Sequence, residues 1–416
     1  MSRTSALDSG RALATAALLA PPLAVFAPHG LAPLLAVLAL VVVIGEGWRC
    51  LDELRGMLWL VVLLAALSLW GLASALWSIL PEHSLAVAVR FMLISVAGLL
   101  VFGAAAGLEP RGRDRVRQAA VIGLLVAAVF MIIERFTGAA LTRLLVTPPD
   151  GSELSLTRFD RGAVVMVLSL WPAIIAQRRI WPALALVVAT GVAVAAMVSA
   201  AAKVALLVSI AVALVAWRAP RLVAAVLGGS LILLALLLPL AVPGSRTVIA
   251  MHEQEPWVKA SGMHRLLIWR FTADRIAERP ILGWGMDASR ALPGGHLNLG
   301  QALPEAGLGS NAEALPLHPH NAILQWEVEL GPPGTLLALA IVIGGLWKLG
   351  RQAHLSPRER AGALAWAAAA LVFAMVSFGA WQEWWLAALW LTSAAYAASI
   401  AGPLSPPAAK GAPTTR

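Results

Sequence analysis

RLVAAVLGGSLILLALLLPLAVP, residues 221–243, carries one charge at its first position and none after it. A run of about twenty apolar residues is what an α-helix needs to cross a hydrocarbon core of roughly 30 Å. In that medium each backbone polar group must be satisfied within the segment, which leaves a helix as the simplest solution. Comparable runs recur along the 416 residues, separated by charges or by Pro and Gly. They predict an all-α polytopic membrane protein, a single membrane domain over 1–416 with about twelve transmembrane helices. The spans fall near 12–28, 30–45, 57–78, 86–107, 116–135, 162–177, 180–199, 203–217, 221–243, 320–348, 361–380 and 384–402. The first run, Leu13 to Phe26, lacks a small-x-small cleavage site before a polar region, and another apolar run starts at Leu31. It therefore reads as a span and not as a cleaved leader.

Composition agrees. Hydrophobic residues make up 60% of the chain and charged ones 13%, too few to cover a water-soluble surface of this size. Seventeen Trp stand against one Tyr, and Trp381, Trp384 and Trp385 sit at a span end, where indoles anchor helices in the interface. The single Cys50 excludes an intramolecular disulfide and a cysteine metal site.

Charge distribution orients the spans. More than half of the 31 Lys and Arg, including Arg49, Arg55, the Arg111–Arg117 run, Arg178, Arg179 and Arg218, fall in short loops or tails on one side. By the positive-inside rule that side is cytoplasmic, and both termini lie there. The net charge of +9 is thus mostly a topology signal and does not point to nucleic acid. The longest segment between spans, 244–319, then faces outward. Within it His264 to Glu278 (HRLLIWRFTADRIAE) has apolar residues at helical spacing and predicts an amphipathic helix on the membrane face. Arg279–Pro280 ends it, and Ile281-Leu282-Gly283-Trp284-Gly285 makes a tight turn.

The sharpest local pattern follows that loop: His318-Pro319-His320-Asn321 and then, after nine intervening residues, Gly331-Pro332-Pro333-Gly334. Asn321 is placed to cap the next helix, and the Gly-Pro-Pro-Gly step breaks or kinks it inside the bilayer. A histidine at that boundary has two readings: a hydrogen-bonding residue of the interface, or a base that accepts a proton near neutral pH. Several cations lie on the same outer side. Arg158 and Arg161 precede the sixth span, Lys203 opens the eighth, and Arg265 and Arg270 lie on the amphipathic helix. They run against the topology bias. Each could snorkel or pair with Asp150, Asp160 or Asp274; together they could hold phosphate, which arginine grips with two parallel hydrogen bonds. The sequence contains no Asp-x-Asp, Walker loop, Gly-x-Ser-x-Gly or metal-spaced His/Cys/carboxylate cluster, so no metal and no cofactor is expected.

The pattern His320-Asn321…Gly331-x-x-Gly334, preceded by Arg265-x-x-x-Trp269 and Pro280-Ile281-Leu282-Gly283-Trp284-Gly285, resembles the O-antigen ligase family. Its superfamily also holds O-antigen polymerases and O-linked protein oligosaccharyltransferases. The resemblance implies a glycosyltransferase with a GT-C-like membrane fold in the bacterial inner membrane, its long loop and its active site periplasmic. The implied partners are an undecaprenyl-diphosphate-linked glycan as donor and the lipid A–core saccharide as acceptor. In lipopolysaccharide biosynthesis such an enzyme joins the two without metal and with inversion. By position His320 matches the family's histidine and Arg265 its loop arginine, the two catalytic candidates. Arg161, Lys203, Arg158 and Arg270 are the diphosphate-binding candidates, and His318, Asn321, Gly331 and Gly334 support them. Lys203 stands where relatives commonly carry Arg, which keeps the charge and loses the planar fork.

A polymerase or a protein-glycosylating relative would share donor, base and arginines and differ in acceptor. A twelve-span transporter is the reading from a different class. Two-repeat transporters usually place their long loop centrally and inside, whereas this loop lies outside after the ninth span. The topology is testable with single cysteines in a Cys50→Ser background. His296→Cys should react with a membrane-impermeant maleimide in cells whose outer membrane is permeabilised, and His354→Cys only after lysis. The reverse pattern would invert the assignment.

Overall fold

A computed structural model describes residues 8–145, 154–254, 260–309 and 312–400. Among them the structure is helical throughout, with one isolated bridge between Asn298 and Glu313 in place of any sheet. In chain order the helices are α1 (Ser9–Phe26), α2 (Leu31–Glu46), α3 (Leu58–Ser74), α4 (Pro81–Ala106), α5 (Pro110–Phe136) and α6 (Ala140–Leu145). Next come α7 (Asp160–Ile175), α8 (Ile180–Ala196), α9 (Ala200–Ala216), α10 (Pro220–Ala241) and α11 (Ser245–Gln254). The remainder are α12 (Ala260–Glu278), α13 (Leu299–Ala302), α14 (Ala322–Arg351), α15 (Pro357–Val376) and α16 (Glu383–Ser399).

Each of the twelve expected spans coincides with a helix, including the tight hairpins at Arg178–Arg179 and Ala200–Lys203. Among the described residues 8 helices are long and apolar enough to cross a membrane. The others, α7, α8, α9 and α16, have 16 or 17 residues. At 1.5 Å per residue that is about 25 Å, short of a core of roughly 30 Å. The third span also ends earlier than expected, at Ser74 instead of near 78. The expected positions of the two termini lie outside the described residues.

The bundle is apolar outside as well as inside. Leu69, Val188 and Leu236 are each more than 60% exposed on α3, α8 and α10, which suits a lipid-facing surface. At the centre stands α7, buried at every residue from Gly162 to Ala173. Close helix approach rests on small residues, as it does in membranes generally. A Cβ on Gly123 of α5 would lie 2.6 Å from the Leu18 carbonyl oxygen of α1, and one on Gly98 of α4 would lie 2.1 Å from Trp390 of α16.

The Gly-Pro-Pro-Gly step breaks α14 as expected: Gly331 has φ 64° and ψ −173° within an otherwise helical run. Pro332 and Pro333 have no N–H, so the carbonyls of Val328 and Glu329 lose the donors that would lie four residues on. The loop between α10 and α14, together with Trp70 of α3, supplies replacements. Trp284 N–H donates to Val328 O at 2.9 Å and Gly285 N–H to Glu329 O at 2.8 Å, while Trp70 Nε1 donates to Leu330 O at 2.9 Å. The expected turn at 281–285 therefore docks against the broken helix, with Gly283 and Gly285 both at positive φ. Contact is backbone to backbone: a Cβ on Gly331 would lie 2.1 Å from Ile281 O, and one on Gly283 2.6 Å from Glu329 O. The amphipathic helix is also present, α12 ending at Glu278, just before Arg279–Pro280.

This contact predicts that Gly331→Ala is severely destabilising. A side chain at that φ costs about 1–3 kcal/mol, and expelling the 281–285 turn would strand two carbonyls at a further ~1–3 kcal/mol each. The expected result is a melting temperature in detergent several degrees lower, with reduced yield. A variant as stable as the parent would mean that the two backbones do not touch.

Candidate active site

His320 sits two residues before α14, next to its cap. Asn321 caps that helix, its side-chain oxygen accepting from Leu324 N–H at 3.1 Å, and its amide nitrogen donates to Met375 O at 3.3 Å. The cap fixes the backbone just before the helix, and His320 takes φ 57° there. Left-handed backbone at a non-glycine residue costs energy and persists only where its surroundings hold it. Its imidazole is held by the connection between α15 and α16: Nδ1 lies 2.5 Å from Ser377 O. A carbonyl oxygen only accepts, so Nδ1 carries the proton and Nε2 of the neutral ring keeps its lone pair. The charged form is disfavoured by burial first and then by Arg265 and His264, against the raising effect of the Ser377 carbonyl; the net shift is downward. His320 is therefore neutral at pH 7 with Nε2 as an available base.

The loop positions charge around this ring. Trp269 Nε1 donates to Pro319 O at 2.9 Å, which pins α12 to the His-Pro-His segment and brings Arg265 into range of His320. Among the described residues Arg265 makes no hydrogen bond or ion pair, and burial works against its charge. His318 packs edge-on against His320 with ring centroids 4.3 Å apart, and its Nδ1 accepts the His320 N–H at 3.2 Å. Burial, then His320 and Arg290, push His318 down to about 3, so it stays neutral as well.

The other candidates divide. Arg161, at the start of α7, lies over the Trp384 ring at 5.6 Å and donates to His29 Nε2 at 3.2 Å. Trp384 Nε1 in turn donates to Gln382 Oε1 at 3.0 Å, and Gln382 reaches the His318 ring at 3.4 Å. Arg161 is thereby linked to the histidine pair by a short chain of contacts. Lys203 is electrostatically coupled to Asp160, the neighbour of Arg161. Arg270 is turned away: it pairs with Asp274 and donates to Val242 O. Nothing joins Arg158 to His320. Gly331 and Gly334 shape the helix break, and Gly334 faces Leu330 and Trp70.

Sequence reasoning missed the residues that hold the site from behind. Glu329, fully buried in α14, accepts from Asp287 N–H at 2.8 Å, Ser289 Oγ at 2.5 Å, Gln325 Nε2 at 3.1 Å and Trp381 Nε1 at 2.5 Å. Asp287, at φ 55°, holds His83 at 2.8 Å and Arg290 at 2.6 Å. A carboxylate inside an apolar helix was a usable signal; the distant donors were not. Beside the site lies an apolar cavity of about 840 Å³. Ala322, Trp326 and Trp381 line it near His320, and Lys348, Arg351 and His354 line its other end.

A family model described as O-antigen ligase matches residues 184–339. That stretch includes Lys203, Arg265, His318, His320 and the helix break, and leaves out Arg158 and Arg161. The chain is also similar to proteins described as candidate polysaccharide ligases. One from Rickettsia conorii is 27% identical over 337 residues, 77% of this chain and 75% of that protein. One from Rickettsia bellii is 27% identical over 327 residues, 77% of this chain and 76% of its own length. A third, from Rickettsia typhi, is 34% identical over 134 residues, 32% of this chain and 31% of that protein.

The buried neutral histidines give the fold a pH dependence with a definite sign. Below about 6.5 the unfolded chain protonates at position 318 while the folded chain does not until about 3. The unfolded state then binds more protons, so stability falls as pH drops through that window. Melting in detergent should decline from pH 7 to pH 4, with a shallower decline in His318→Gln. Parallel slopes would remove His318 as the cause.

Proposed function

We propose that this chain, whose match over 184–339 and whose relatives support membership of the O-antigen ligase family, is a glycosyltransferase acting on the periplasmic face of the inner membrane. It transfers a glycan from undecaprenyl diphosphate to a hydroxyl of lipid A–core, as the last joining step in lipopolysaccharide biosynthesis. The observation that carries this reading is His320, whose Nδ1 proton is held by Ser377 O and whose Nε2 is free within the field of an unpaired Arg265.

In the reaction Nε2 of His320 takes the proton of the acceptor hydroxyl as its oxygen attacks the anomeric carbon. The bond from that carbon to the diphosphate oxygen breaks, and the electron pair leaves with the diphosphate. Arg265 neutralises the charge that grows there, with Arg161 and Lys203 as the next cations along the outer ends of α7 and α9. One displacement inverts the anomeric centre. Diphosphate departs readily, so the step needs no nucleotide and no metal. The apolar cavity beside His320 suits a prenyl chain, and in this reading α12, packed against α10 and α14, would cover the side from which lipid-linked substrates enter. Twelve crossings, in a GT-C-like arrangement with 244–319 outside, put these groups on one face of the membrane.

The decisive experiment is deletion of the gene followed by gel analysis of lipopolysaccharide. Loss of all long chains with intact core, together with accumulated carrier-linked polymer, is the expected outcome. A single repeat on core would indicate a polymerase, and unchanged lipopolysaccharide would sink the proposal. With purified protein, His320→Ala should lower transfer by roughly 100-fold or more, the usual worth of a general base. Arg265→Ala should lose a comparable factor. EDTA should leave the rate unchanged.

A further inference from the structure

We propose that Glu329 is a positioning residue for His320, acting through the connection between α15 and α16. The inference rests on the reading of His320 as the base. Glu329 makes no contact with His320 itself. Its carboxylate collects donors from three separate pieces of chain: Asp287 and Ser289 in the outer loop, Gln325 one turn earlier in α14, and Trp381 beyond α15. Gln325 extends the grip, since its Oε1 accepts Ala380 N–H at 2.8 Å. Residues 380 and 381 are thus tied to one buried carboxylate, directly and through Gln325.

That tie matters because of what lies three residues upstream. Among the described residues Ser377 O is the one partner of His320 Nδ1, and the Gln325–Ala380 and Glu329–Trp381 bonds hold the short connection that carries it. If Ser377 O withdraws, nothing dictates which ring nitrogen of His320 keeps the proton, and half or more of the molecules could present N–H where the base must present a lone pair. One oxygen of Glu329 has to accept. The backbone N–H of Asp287 and the indole N–H of Trp381 both point at Oε2, and neither can accept. An amide of the same shape can keep that acceptor but sets its NH₂ group against the Gln325 Nε2 donor at the other position, where Gln325 is held by Ala380 N–H, so that this buried bond is lost.

The other end of the network reaches the site's charge. Asp287, held through its backbone by Glu329, carries Arg290, whose field reaches His318. One buried carboxylate therefore sets both the tautomer of the proposed base and the placement of a neighbouring cation.

The test uses full-length protein in liposomes, labelled with ¹⁵N-histidine, with the His320 signals identified by their loss in His320→Ala. The parent should show a single neutral tautomer at pH 7.5, protonated at Nδ1 and bare at Nε2. Glu329→Gln should show both tautomers, with the Nε2 signal moved toward the protonated position and transfer reduced more than tenfold at saturating donor. The donor KM should stay within about twofold, because Arg265 and Arg161 remain. An unchanged single tautomer in folded Glu329→Gln overturns the proposal, whatever happens to the rate. If Glu329→Gln does not fold, Trp381→Phe removes one donor bond from the same network and is judged by the same signal. Failure of the underlying reading is distinguishable: full transfer by His320→Ala would remove the base assignment while leaving the tautomer result intact.

Discussion

The structure depends on one break in one helix. Two consecutive prolines in α14 remove the donors that Val328 and Glu329 carbonyls would otherwise use, deep in a chain segment where water cannot replace them. The loop that precedes α14 answers with the backbone N–H groups of Trp284 and Gly285, delivered by a turn that only glycine permits at Gly283 and Gly285. This exchange fastens the long loop between α10 and α14 to the interior of the bundle. It acts together with the bonds of Asp287 and Ser289 to Glu329 and of Trp269 to Pro319 O, which tie the same loop and α12 to α14.

From that junction the site assembles in both directions. Downstream of the docked turn, Asp287 and Ser289 reach the carboxylate of Glu329. Upstream, α12 returns along the mouth of α14 and is pinned by Trp269 to Pro319 O. Arg265 therefore arrives near His320 by a backbone route and a single indole bond, leaving its own guanidinium uncommitted. A cation already engaged by a carboxylate, such as Arg270 with Asp274, would first have to be freed to serve an anion. The difference between two arginines five positions apart on one helix is a difference of which face the docked loop turns inward.

The histidine pair illustrates how burial and charge combine. His318 and His320 both stay neutral because desolvation and neighbouring cations disfavour protonation of either ring. Only His320 also meets a carbonyl at Nδ1, which selects the tautomer with a free Nε2. The left-handed backbone at His320 is what turns the ring toward Ser377, since Asn321 next to it is fixed as the helix cap.

Much of this was legible in the chain itself. Apolar runs located twelve of the sixteen described α-helices, because a segment in lipid has to satisfy its own backbone and can do so only at helical length. The cap at Asn321, the break at Gly331 and the turn at 281–285 follow from local rules for Asn, Pro and Gly that need no partner. The number of those helices long enough to cross unaided was not legible, because the ends of α7 and α16 are set by packing and not by hydropathy. Nor could the sequence separate Arg265 from Arg270, or single out Ser377 and Asp287 and the donors that Glu329 gathers. Those roles depend on contacts between residues about 40 to 60 positions apart, such as Glu329 with Ser289 and with Trp381, or His320 with Ser377. Sequence determined which segments are helices and where one of them must break; tertiary structure decided which distant donors fill the break and, through them, which nitrogen of His320 is free.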